Sequence, residues 1–207
     1  MKRLGKCCMI LGALLLAGAL ALVLYNQREA SRAQQAADNL MPQLMDQIQQ
    51  NAQVYEPKPT IPVDLPQIGP ETAPLAMKTV EIDGHTYIGY LAIPALGLEL
   101  PIMSGWDYPS LRIAPCRYTG TLEGDDLVLM AHNYARHFGK ISTLNPGDPV
   151  YFTDVDGVVT AYQVVASDVL QPQAVEEITA GHYDLTLFTC TYGGKTRVAI
   201  YCDRVEP

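Results

Sequence analysis

The spacing of apolar and polar positions divides the chain into four stretches. Residues 7–25 form a run of 19 residues without a charge, dominated by Leu and Ala. About 20 apolar residues carry a helix across a bilayer, so this run predicts one transmembrane helix. Residues 27–54 change to Ala, Gln, Met and Leu with scattered charges, a mixture that favours helix. Within it Leu40, Leu44 and Ile48, with Met41 and Met45 beside them, recur at helical spacing. That thin stripe fits either a stalk helix without a partner or a helix packed on the domain that follows, and Pro42 is the one strong interruption expected in it. Six prolines then fall within residues 57–74, which prevents helix and predicts an extended, fairly stiff spacer. Such a spacer lifts the next domain off the membrane or wraps its surface.

From about Thr79 the apolar runs become short: residues 87–93, 100–103, 127–130, 150–152, 158–169, 185–189 and 197–202, separated by turn signals. Seven or eight short strands at this spacing predict an all-β barrel or sandwich. Helical pattern is confined to a turn or two near residues 109–113, 137–144 and 174–178. Asp154 to Gly157 reads as a hairpin turn; the rest of a calcium loop is absent around its two aspartates. The expected organisation is a cytoplasmic flank and signal-anchor at 1–25, a helical stalk at 26–54, a proline-rich spacer at 55–78 and a β-domain at 79–207.

Charge orients this arrangement. Lys2, Arg3 and Lys6 precede the apolar run, and basic residues are retained on the cytoplasmic side, which leaves everything after Tyr25 outside. A cleaved signal peptide shares the basic start and apolar core, but Asn26, Gln27, Arg28 and Glu29 offer no small-residue cleavage site, so an uncleaved anchor is the reading adopted. Cys7 and Cys8 precede the apolar core, whereas a lipoprotein cysteine would follow it. The chain carries 22 acidic against 14 basic residues, and three of the basic ones belong to the membrane flank. This excludes a basic nucleic-acid footprint. The five cysteines lack the dense spacing of a disulfide-stapled domain; Cys116 and Cys202 read as two separate buried thiols rather than a bridge.

The candidate chemistry sits at strand ends. The run 185–189 delivers Cys190, then Gly193 and Gly194 turn the chain, and Arg197 opens the next strand. Cysteine at such a place is often simply buried. Upstream, however, the run 127–130 ends by delivering His132, and a histidine is suited to exchange a proton with a thiol nucleophile near neutral pH. Arg197 stays charged and can donate hydrogen bonds to an oxyanion or a substrate backbone; Arg204 competes for that role. Asn133 either orients His132 or is an exposed strand-end residue. A metal pair of His132 with His137 lacks a third ligand at a recognised spacing, and Asp148 belongs to the turn that starts at Asn145, so no metal and no cofactor is expected.

Taken together, the Ala131-His132-Asn133 segment, the Leu187-Phe188-Thr189-Cys190 strand end and Arg197 resemble the sortase family, the membrane-anchored cysteine transpeptidases of Gram-positive surfaces. The resemblance spans roughly residues 87–205, and Phe188 departs from it, being bulkier than the residue expected between Leu187 and Thr189. It implies a closed or nearly closed β-barrel of seven to eight strands with short helices. It further implies Cys190 as nucleophile, His132 as general acid and base, and Arg197 as oxyanion or substrate-positioning residue. The expected reaction cleaves an LPxTG-like sorting motif on surface proteins through a thioacyl-enzyme and transfers the product to a cell-wall precursor or pilin amine. The segment 170–183 would shape the substrate pocket, with Ala174, Val175 and Ile178 either lining it or capping the barrel and Thr189 as a further lining candidate; the resemblance also admits the spacer 55–78 as a lid over the groove. Two other functions compete: a peptidoglycan cross-linking cysteine transpeptidase, whose histidine and cysteine usually lie close in sequence, and a non-catalytic anchored binding module.

Overall fold

The helix-favouring composition of the first 54 residues produces one uninterrupted element, α1 (Lys2–Val54), in the structure, a computed structural model that describes residues 2–54 and 77–205. Its first half contains Met9–Glu29, 21 residues long and apolar enough to cross a membrane, and this stretch is not buried against the rest of the chain. The second half has a partner. Leu40, Leu44 and Ile48 are buried with Ile82, Tyr87, Met103, Leu111 and Val155 of the following domain, Leu44 completely. The apolar stripe is therefore a docking face. The interruption expected at Pro42 does not occur. Pro42 is exposed between buried Met41 and Leu44; a proline inside a helix costs about 3 kcal/mol, whereas each fully buried Leu or Ile contributes about 1.5 to 3 kcal/mol, so packing on both sides carries the helix through. The expected spacer lies outside the described residues except for Met77 and Lys78; Met77 packs against the core and Lys78 pairs with Asp156 at 2.5 Å.

Beyond Lys78 the short runs become strands: β1 (Val80–Ile82), β2 (His85–Ile93), β3 (Leu98–Met103), β4 (Cys116–Thr119), β5 (Leu127–Ala131), β6 (Pro149–Asp154), β7 (Val159–Leu170), β8 (Leu185–Cys190) and β9 (Arg197–Arg204). The helical pieces are α2 (Tyr108–Leu111), α3 (Val175–Ile178) and single 3-10 turns at Pro94–Leu96 and Ile141–Thr143. The strands hydrogen-bond in the order β1-β2-β3-β4-β5-β8-β9-β7-β6, and β6 pairs back to β2. Strands β2 to β9 thus close into an eight-stranded mixed barrel, with β1 folded onto β2 as a hairpin. The all-β, closed-barrel expectation holds, and closure removes the free edges that open sheets leave to associate. The seam depends on Gly89, where the β2 register shifts so that the strand pairs with both β3 and β6. Its φ is 141°, and a Cβ there would lie 2.0 Å from the Thr153 carbonyl oxygen.

Alternation along β5, β8 and β9 explains why these strands read as unbroken apolar runs. Leu127, Leu129, Leu185, Leu187, Val198, Ile200 and Cys202 fill the barrel interior, while Val128, Phe188, Ala199 and Tyr201 pack outward with Leu170 and with Ile178 of α3. Both faces are covered, as in sheets flanked by helices. Cys116 and Cys202 are separate, buried and free; burial pushes both thiols up to about 12. The Asp154 to Gly157 turn is held by the Asp154 carboxylate, which accepts from the Asp156 and Val158 amides at 2.9 Å each.

Candidate active site

The site follows from strand pairing. β5 and β8 run parallel in unbroken register from Leu127↔Leu185 to Ala131↔Thr189. The next residue on each strand, His132 and Cys190, therefore leaves the barrel at the same end, side by side. Across the other edge of β8, antiparallel pairing puts Cys190 directly opposite Arg197. The Thr189 hydroxyl, buried, donates to the Ala131 carbonyl at 2.8 Å and ties the two strand ends just before His132 and Cys190. The connection from β8 to β9 turns through Gly193 and Gly194, both at positive φ, and is closed by the Thr191 amide donating to the Thr196 carbonyl at 3.0 Å. Arg197 Nη1 donates to the carbonyls of Gly194 and Thr196, 3.2 Å each, so the loop itself holds the guanidinium. Cys190, His132 and Arg197 line one cavity of about 210 Å³.

The electrostatics favour an uncharged imidazole. Burial first, and the nearby Arg112 guanidinium second, hold His132 below the usual histidine value of 6.5. Its ring packs against Tyr134, centroids 4.8 Å apart, and Tyr134 in turn meets His137 at 5.5 Å. His137 is completely buried, with no hydrogen-bond partner for either ring nitrogen among the described residues. Burial, with a smaller contribution from His132, lowers it to about 4. Asn133 forms no hydrogen bond with His132 and lines a neighbouring cavity. Arg204 is at the opposite end of β9, paired with Asp125 at 2.6 Å and donating to the Leu122 carbonyl at 2.6 Å.

Of the expected pocket residues, Val175, Ile178 and Thr189 line the cavity. Ala174 does not; it packs against the outer cluster with Leu170 and Phe188. The principal wall escaped sequence reasoning. Trp106 stacks on Tyr118 (5.7 Å, 28°), and Tyr118 meets Phe188 edge-on (5.4 Å, 89°), forming an aromatic flank with Met130 beside it. Such contacts are favourable geometries for aromatic pairs, and all three residues line the cavity. Phe188 is the bulky residue that departs from the expected pattern, and Trp106 is the only tryptophan in the chain; those were the available signals.

The sequence profile of the sortase domain matches residues 91–205. The chain belongs to the sortase family. Solved sortases agree with the fold. Sortase A from Corynebacterium diphtheriae is 26% identical with a TM-score of 0.53, covering 59% of this chain and 62% of that one. Streptococcus pneumoniae sortase C is 28% identical with a TM-score of 0.53, covering 58% and 67%. Sortase C1 of GBS pilus island 1 is 26% identical with a TM-score of 0.52, covering 58% and 65%. The chain therefore spans slightly less than two thirds of the Corynebacterium and GBS proteins. No curated protein sequence matches it significantly.

Proposed function

We propose that this sortase is a membrane-anchored cysteine transpeptidase that cleaves an LPxTG-like sorting motif and passes the acyl group to an amine. One observation carries the reading: strand register brings Cys190, His132 and Arg197, from segments separated by up to 65 positions, to one cavity mouth. In the first half-reaction the sulfur of Cys190 attacks the peptide carbonyl carbon while its proton passes to His132. Arg197, with both neighbouring carbonyls anchoring one of its nitrogens, offers the remaining N–H donors to the oxyanion. His132 then protonates the departing amine as the C–N bond breaks, leaving a thioester. In the second half-reaction His132 removes a proton from the attacking amine. An imidazole held neutral by burial suits this acceptance of protons. The aromatic flank of Trp106, Tyr118 and Phe188 supplies the apolar surface that leucine and proline of a sorting motif need. The apolar stretch of α1 anchors the protein, with the basic flank inside and the barrel outside.

The test is product analysis by mass spectrometry, using the full chain in detergent with a panel of sorting peptides and small amines. The expected product is the N-terminal part of the peptide joined to the amine. A binding module would return every peptide intact.

A further inference from the structure

His132 is shared by two cavities. The second, about 670 Å³, lies on the side of the imidazole facing α1 and is lined by Asn133, Tyr134 and Tyr192 of the barrel, by Arg112 just after α2, and by Tyr25 and Glu29 of α1. Its lining contains two charged side chains of opposite sign, Arg112 and Glu29. The Arg112 guanidinium is exposed and takes part in none of the ion pairs among the described residues. Glu29 accepts from the largely exposed Arg32 at 3.1 Å through Oε1, and its second oxygen accepts no hydrogen bond among the described residues. The electrostatic reach of both groups into the site is direct: Arg112 acts on His132 and Tyr134, and Glu29 acts on Tyr134. Tyr25 and Glu29 also belong to the C-terminal end of the apolar stretch of α1.

We propose that this second cavity receives the acceptor, and that the acceptor is a primary amine with a carboxylate on the same carbon, the zwitterionic end of an amino acid. The inference rests on the reading of Cys190 and His132 given above. Once the acyl group fills the aromatic-walled cavity, an incoming amine needs another route to the thioester that still passes His132, and the α1-side cavity meets both demands. Glu29 attracts the ammonium and Arg112 the carboxylate, the latter through the planar fork that suits a carboxylate. An amine lacking the carboxylate satisfies only Glu29. After losing one proton to water, the nitrogen attacks the thioester carbonyl carbon with its lone pair. The C–N bond forms and the C–S bond breaks, the sulfur of Cys190 leaving with the electron pair. The surplus N–H proton goes to His132 and from there to the sulfur, which restores the starting thiol and neutral imidazole.

Glycine and glycinamide provide the test, because they differ in carboxylate against carboxamide and neither is chiral. The full chain in detergent is acylated with a sorting peptide, and the second-order rate constant for aminolysis of the thioester is measured with each acceptor. Within one variant, their ratio cancels any effect on His132 or on folding, because both acceptors meet the same enzyme. In Arg112→Gln the glycine-to-glycinamide ratio is expected to fall about tenfold, the loss of one charge-assisted contact. Arg112→Lys, keeping charge without the fork, should fall between, and Glu29→Gln should slow both acceptors with little change in ratio. A ratio unchanged between the wild type and Arg112→Gln overturns the proposal while the catalytic reading stands. Absence of acylation at Cys190 in the wild type overturns both.

Discussion

His137 is the buried group whose titration should be felt throughout the site. In the folded protein its value is about 4, against 6.5 for the free side chain. The unfolded chain therefore binds a proton between these values that the folded chain does not. Stability from the neutral imidazole is complete above 6.5 and is lost as pH falls toward about 4. At about 1.4 kcal/mol for each tenfold change in proton affinity, the displacement amounts to roughly 3 kcal/mol. For a chain of this size that corresponds to roughly 6 to 12 °C in Tm. His132, also held below 6.5, and the carboxylates contribute to acid sensitivity as well, so the informative quantity is a difference between proteins. His137→Phe keeps an aromatic ring beneath Tyr134 and removes the titration; His137→Leu serves if the larger ring overpacks the site. Thermal unfolding of the full chain in detergent, followed by circular dichroism from pH 4 to 7, should show a markedly flatter dependence in either variant. Because His137 supports Tyr134 and Tyr134 supports His132, the acid limb of transfer activity should also move to lower pH. Parallel Tm curves for wild type and both variants would refute the reasoning, since they would mean the buried imidazole binds its proton equally in both states.

Three further outcomes are expected. Arg197→Lys keeps the charge but loses the fork of donors, so acylation should slow roughly 100-fold to 1,000-fold, while Arg204→Lys, at the far end of β9, should be mild; single-turnover acylation after a check of folding decides between them. His132→Ala should reduce transfer by about 100-fold to 10,000-fold with the barrel intact, measured as peptide–amine product per unit time alongside circular dichroism. Leu44→Ala removes a completely buried side chain between α1 and the barrel, and should cost about 2 to 5 kcal/mol, read as increased protease cleavage of α1 near Pro42 relative to the barrel; an unchanged digestion pattern would mean the docking face contributes nothing.

Much of the barrel was legible because strands buried on both faces leave uninterrupted apolar runs, and the β5, β8 and β9 runs carried the candidate cysteine, histidine and arginine at their ends. β1 and β4 were not legible. β1 has three residues, and β4 reads Cys116, Arg117, Tyr118, Thr119, too short and polar to stand out although pairing with β5 secures it. The apolar stripe of α1 was visible, yet only its contact with Ile82, Tyr87 and Met103 shows that it docks and why Pro42 fails to break the helix. For the site, the sequence supplied residue types; the parallel register of β5 and β8 supplied their adjacency. Trp106 and Tyr118 come from a loop and an unrecognised strand, so the aromatic wall had no periodic signature. Ala174 shows the converse limit: a segment whose Pro172, Val175 and Ile178 line the cavity does not reveal in sequence which of its side chains turn toward it.

The most direct measurement is intact-mass and peptide-mapping analysis of the full chain after a single turnover with a sorting peptide, in wild type and Cys190→Ala. The expected result is one acyl adduct, mapped to Cys190 and absent from the variant, with Cys116 and Cys202 unmodified because burial holds both thiols protonated near neutral pH. An adduct that persists in Cys190→Ala, or that maps to either buried cysteine, would contradict the assignment of the strand-end thiol as nucleophile.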